Sequence, residues 1–145
     1  MKRNKLTFLG AKKGDSIGQW LVEQGISAGF PSPADDFKEI RISLDQELVK
    51  NKESTFYARV SGNSMEGAGI SDGDLIIIDR SLDFKHNKIA VCFLDGEFTV
   101  KRIIQKNKKL YLKAENKSYQ DIEINKESNF IFWGLVTYVI KSILK

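Results

Sequence analysis

The sequence predicts a mainly β protein, and three observations lead there. Apolar, β-branched and aromatic runs recur from Phe56 onward, each bounded by glycine, asparagine or aspartate. The segment "LDGEF", Leu94 to Phe98, places Asp95–Gly96 between two such runs, the pair that favours a tight hairpin. Against these, the helix start signal that follows the linker is at Ser43, ahead of the strand runs, and none is read after it.

Taken in order, residues 1–33 form a leader rich in glycine, lysine and small residues. Within it "SIGQWLVEQGI", Ser16 to Ile26, has the spacing of one short helix, with Ile17, Trp20 and Leu21 on a face. "AGFPSPADD", Ala28 to Asp36, reads as a linker, because Pro31 and Pro33 push their neighbours towards extended backbone. Ser43 is placed to cap a helix over Leu44–Val49, with Gln46 completing a capping box. Strands are then expected near Phe56–Val60, Asp74–Asp79, Lys88–Leu94, Glu97–Gln105, Lys108–Lys113 and Phe130–Lys141.

A chain of 145 residues suits one domain with a substantial core, burying roughly 70% of the surface its unfolded form exposes. A hydrophobic content of 41% with 29% charged residues is that of a water-soluble globular protein. The basic start lacks the long apolar stretch of a signal peptide, since Lys12 and Lys13 follow soon after Leu9. The apolar stretch Phe130–Ile140 is too short for a helix to span a bilayer, so no membrane association is expected. One cysteine, Cys92, excludes an internal disulfide, and its place in "IAVCFL" reads as a buried strand position; a reducing cytoplasm is the simpler setting.

The net charge is +4. Residues 1–28 hold five basic and two acidic side chains, a net of +3, which leaves +1 for residues 29–145. The body therefore has a weak electrostatic footprint for duplex DNA, and no specific duplex binding is expected. The basic leader reads as a solvated tail or a phosphate-touching arm.

The chemistry-bearing stretch is "SGNSMEGAGISDGD", Ser61 to Asp74. It joins two apolar runs through four glycines and offers Ser64 as a nucleophile. A serine needs a base. The one histidine, His86, lies in "FKHNK", which reads as an exposed turn. No His, Cys or carboxylate grouping has metal-ligand spacing, so neither a metal nor another cofactor is expected. The remaining candidate is a neutral lysine, Lys101 in "EFTVKRII". Alternation puts it on one strand face with Thr99 and Ile103. To act at neutral pH its pKa must fall by roughly 3 from about 10.4, or about 4 kcal/mol of differential solvation. From spacing alone it reads more readily as a solvated strand lysine.

"SGNSM", "GISDGDLIIID" from Gly69 to Asp79, and "DGEFTVKRI" from Asp95 to Ile103 together resemble the LexA/UmuD family of self-cleaving serine peptidases. "FPSPADDF" after Ala28–Gly29 narrows the resemblance to the UmuD-type branch, and the four blocks span about residues 28–141. The pair at the cut is Ala-Gly, as is more typical of LexA and phage repressors, where the UmuD-type branch usually has Cys-Gly.

The resemblance implies bent sheets around a cleft, with Ser64 as nucleophile, Lys101 as general base and Ala28–Gly29 as the scissile pair. Residues 1–28 would be the arm that is removed and residues 29–145 the lasting domain. Backbone N–H groups of Asn63 and Ser64 are the natural oxyanion donors. Ser61 either orients the lysine or closes the turn, and Met65 packs beneath it. The implied partners are a second copy in a homodimer, a RecA filament on single-stranded DNA that induces cleavage, and an UmuC-like Y-family polymerase that takes up the processed form. A repressor of the same family is the alternative. It requires a helix-turn-helix domain of roughly 60 residues, and one short helix ahead of the cut does not make the packed pair.

Overall fold

The computed structural model describes residues 5–9, 19–22 and 39–144. They fall into two units: a short N-terminal strand together with everything from Glu53 onward, and the segments lying between Lys12 and Lys52.

In the smaller unit, β2 (Gln19–Val22) pairs antiparallel with β3 (Glu39–Ile42), Gln19 opposite Ile42. This corrects the helix expected over Ser16–Ile26. The helical spacing there is real, but a strand partner satisfies the same backbone, and tertiary pairing outweighs so short a periodicity. Helix α1 (Leu44–Leu48) forms where the capping signal placed it, with Ser43 Oγ accepting from the Gln46 N–H.

The larger unit is one continuous antiparallel sheet. It contains β1 (Lys5–Leu9), β4 (Thr55–Ser61), β5 (Leu75–Asp79), β6 (Lys88–Leu94), β7 (Glu97–Lys106), β8 (Lys109–Lys113), β9 (Ile122–Ile124) and β10 (Phe130–Ile140). Their order across the sheet is β1-β4-β5-β10-β6-β7-β8-β9. Two tight hairpins set the register on one side. Asp95 and Gly96 between β6 and β7, and Asn107 and Lys108 between β7 and β8, all have positive φ, as a two-residue turn of this hand requires.

β10 joins the two halves of the sheet. Its first half pairs with β6, from Phe130 opposite Leu94 to Leu135 opposite Ala90, and its second half pairs with β5. Register shifts at Phe132/Gly134 and Val136/Tyr138 bend it, because a bulge adds local twist. Gly134 is required at that bend: a Cβ there would stand 2.8 Å from Ile78 Cγ2 and 3.1 Å from the Asp79 carbonyl oxygen.

Two apolar clusters form the core. One gathers Ala58, Val60, Met65, Ile70, Ile76, Ile78, Val91 and Val100. The other gathers Ala90, Cys92, Leu94, Ile103, Leu112 and Leu135. β7 contributes to both by alternation, Val100 to the first and Ile103 to the second. Met65 is fully buried in the first cluster, as the packing role expected of it requires. β1 falls within the stretch whose composition predicts a basic leader. It is instead an edge strand on β4, with Leu6 and Phe8 packed on the first cluster and Phe8 4.9 Å from the Trp133 ring. Among the described residues, no helix is long and apolar enough to cross a membrane.

Candidate active site

β4 ends at Ser61, and the chain turns sharply at Gly62, whose φ is +98. Glycine accepts that conformation without the Cβ clash other residues meet. The turn is pinned to the loop before β5. Gly62 N–H donates to Asp72 Oδ1 at 2.7 Å, Gly73 N–H to the Val60 carbonyl and Val60 N–H to the Asp74 carbonyl. Asp74, itself buried, receives the Ser71 N–H and the Lys141 ammonium, which ties the end of β10 to the same loop. A short helical turn over Glu66–Ala68 follows, with Met65 anchored below it. These constraints place Ser64 at the bottom of the turn, with none of its surface exposed.

Lys101 arrives from β7. It stands opposite Ala90 in the β6–β7 register, and Thr99 stands opposite Cys92. Ala90, Cys92 and Ile103 are fully buried, Thr99 is nearly so, and Lys101 itself is only 4% exposed. Its Nζ donates to Ser64 Oγ at 3.0 Å, to Thr99 Oγ1 at 3.0 Å and to the Val100 carbonyl at 3.2 Å. The two side chains are 37 residues apart in sequence, so it is the β4 turn and the β6–β7 hairpin that bring them together.

Burial removes water from the ammonium, and that lowers the Lys101 pKa from 10.5 to about 8, although the Cys92 sulfur opposes the shift. The same desolvation pushes the Cys92 thiol up to about 12, with Lys101 pulling the other way. Cys92 is therefore a neutral, buried thiol beside the lysine. A neutral lysine within hydrogen-bond reach of a serine hydroxyl is the arrangement in which an amine takes up the hydroxyl proton as oxygen attacks.

His86 is exposed, and its Nδ1 accepts from the Gln105 backbone N–H at 2.9 Å, so it serves the end of β7 and lies outside the Ser64–Lys101 pair. Ser61 is not among the groups that receive the lysine ammonium. Thr99 occupies that orienting place, and its position two residues before Lys101 on the same strand face was the readable sign of it. Ala28 and Gly29 lie outside the described residues. Among the described residues, no group of three or more His, Cys, Asp or Glu could hold a metal ion.

Sequence reasoning missed a set of groups that surround the turn from the β8–β9 loop. Asn116 Nδ2 donates to the Asn63 carbonyl at 2.8 Å, the Tyr119 hydroxyl donates to Asn63 Oδ1 at 2.8 Å, and Gly67 N–H donates to the Glu115 carbonyl at 2.7 Å. No local pattern in "AENKSYQ" signals those contacts, which depend wholly on where the sheet carries the loop.

The family profile described as Peptidase S24-like matches residues 21–137. Protein MucA of Salmonella typhimurium is 38% identical over 139 residues, a match that covers 95% of this chain and 93% of MucA. Protein ImpA of Shigella flexneri is 37% identical over 126 residues, covering 87% of this chain and 86% of ImpA. The LexA repressor of Aliivibrio fischeri is 33% identical over 129 residues, covering 88% of this chain and 61% of the repressor.

Proposed function

The chain belongs to the Peptidase S24-like family, and from that premise we propose that it is a self-cleaving serine peptidase of the UmuD type, in which Lys101 is the base for Ser64. The observation that carries this reading is the 3.0 Å contact between a buried lysine, its pKa lowered to about 8, and a fully buried serine hydroxyl.

The chemistry follows from that contact. Ser64 Oγ attacks the Ala28 carbonyl carbon while its proton passes to Lys101 Nζ. The oxyanion is met by backbone N–H groups of Asn63 and Ser64. The intermediate collapses as the lysine gives the proton to the Gly29 nitrogen: the Ala28–Gly29 C–N bond breaks, Gly29 departs as a free amine, and the Ala28 acyl group remains as an ester on Ser64. A water molecule, deprotonated by the same lysine, then hydrolyses the ester and frees the Ala28 carboxylate. Small residues at the cut let extended backbone lie close to Ser64.

In this reading residues 1–28 are the arm removed by cleavage, and residues 29–145 are the working form, a homodimer in the cytoplasm. A RecA filament on single-stranded DNA speeds the cut by favouring the state with the arm in the cleft; tethering makes weak docking sufficient. The processed form serves an UmuC-like Y-family polymerase as an accessory subunit in the SOS response. The near end-to-end matches to MucA and ImpA support this reading.

Mass spectrometry of the purified chain, before and after incubation with RecA, single-stranded DNA and a nucleotide, tests it. A new N-terminus at Gly29 is expected. Gly29→Trp should block processing, because an indole does not fit where only backbone passes. A cut at another bond, or none with an active filament, would contradict the proposal.

A further inference from the structure

The peptide between Asn63 and Ser64 is planar, so its carbonyl and its N–H point in opposite directions. Whatever fixes the Asn63 carbonyl therefore fixes the direction of the Ser64 N–H. In this protein that carbonyl is held by the Asn116 side-chain amide at 2.8 Å and by the Glu66 N–H at 3.3 Å. Asn116 is locked at its other end as well. Its Oδ1 accepts the Ser118 N–H at 2.9 Å, which leaves its NH2 to face Asn63, and its own carbonyl accepts the Tyr119 N–H.

Two more contacts come from the same loop. The Tyr119 hydroxyl holds Asn63 Oδ1 at 2.8 Å. Gly67 lies so close to the Glu115 carbonyl oxygen that a Cβ would stand 2.6 Å from it. The loop is in turn fixed to the strand of the base, because Glu115 pairs with Arg102, the residue after Lys101, and Arg102 also donates to the Asn87 carbonyl. One strand thus sets the lysine and, through Arg102 and Glu115, the loop that holds the serine turn.

We propose that Asn116 and Tyr119 are positioning residues for self-cleavage: they hold the Asn63–Ser64 peptide so that the Ser64 N–H faces the oxygen that becomes negative in the transition state. This rests on the Ser64–Lys101 reading above. Losing an oxyanion donor outright slows comparable enzymes about 100- to 1,000-fold, so a donor left in place but poorly aimed should cost about 10-fold or more.

The test measures two rates in the full chain, self-cleavage across pH and phosphorylation of Ser64 by diisopropyl fluorophosphate with loss of fluoride, which also places negative charge on an oxygen beside the serine. Asn116→Ala and the milder Tyr119→Phe are compared with the wild type. The expected result is a lowered plateau in both rates by a similar factor of about 10 or more for Asn116→Ala, with the pH midpoint unchanged because the lysine's surroundings are untouched. A midpoint that moves up would mean that the loop keeps the lysine dry, and would overturn the proposal. So would an unchanged plateau, or a loss confined to self-cleavage, which would place the loop's effect on the arm. Ser64→Ala separates this from the parent reading. If that variant still cuts, the nucleophile is wrong; if it is inert while the loop variants run at the wild-type rate, only the positioning role fails.

Discussion

Ser64→Ala and Lys101→Met are each expected to abolish self-cleavage, with losses on the order of 10⁴-fold or more, as for nucleophile and base in other serine peptidases. In the proposed mechanism the serine and lysine act as one unit across their 3.0 Å contact, so the two losses should be of similar size. Methionine keeps the length of lysine, suits the apolar walls made by Ala90, Cys92 and Ile103, and has no proton-accepting nitrogen. His86→Ala should cleave at close to the wild-type rate, since His86 serves the exposed Gln105 backbone. Cleavage is read by gel shift and mass on incubation at alkaline pH, with circular dichroism confirming the fold of each variant.

Lys101→Met should also be more stable than the wild type at neutral pH. Burial lowers the lysine pKa from 10.5 to about 8, an interval corresponding to on the order of 3 kcal/mol. Below about pH 8 the folded and unfolded chains both carry the proton, and the fold bears the whole cost of a buried ammonium. Between about 8 and 10.5 the unfolded chain holds one more proton than the folded one, so wild-type stability rises with pH relative to the variant. Above 10.5 that cost is gone. The three hydrogen bonds of the ammonium are already part of that lowered pKa, so the stability gain of Lys101→Met should be larger at pH 6.5 than near pH 10.5 by on the order of 3 kcal/mol. Cys92 titrates in both proteins and largely cancels in the difference. Urea unfolding at the two pH values measures it, and a Lys101→Met variant less stable at pH 6.5 would show that the lysine holds the fold together.

Much of this site was legible in the sequence, but for unequal reasons. The Asp95–Gly96 turn and the alternation of "EFTVKRII" placed Lys101 on a strand face with Thr99 and Ile103, and the structure keeps them there. The run Phe130–Ile140 reads as a buried strand; it is a strand, β10, but only Gly134 and Leu135 of it are buried, and neither that exposure nor its two bulges could be read, because they answer to partners on either side. β1, β2, β3 and β9 are absent from the expected strands. "KLTFL" sits among lysines and becomes a strand only because Phe8 finds Phe98 and Trp133, and "IEI" is too short to show a period. The nearness of Lys101 to Ser64 came from resemblance, not spacing, since 37 residues of chain impose no contact. Lys101's burial depends on cross-strand neighbours, so its lowered pKa was stated in the sequence as a requirement and was found only in the fold.

The most direct test of the neutral lysine as base is the rate of spontaneous self-cleavage from pH 6 to 10.5, in the wild type and in His86→Ala. The account predicts one sigmoidal rise with its midpoint near about 8, a plateau above it, and superimposable curves for the two proteins. A profile already flat above about pH 7.5, as a histidine base would give, together with an inactive His86→Ala variant, would contradict it.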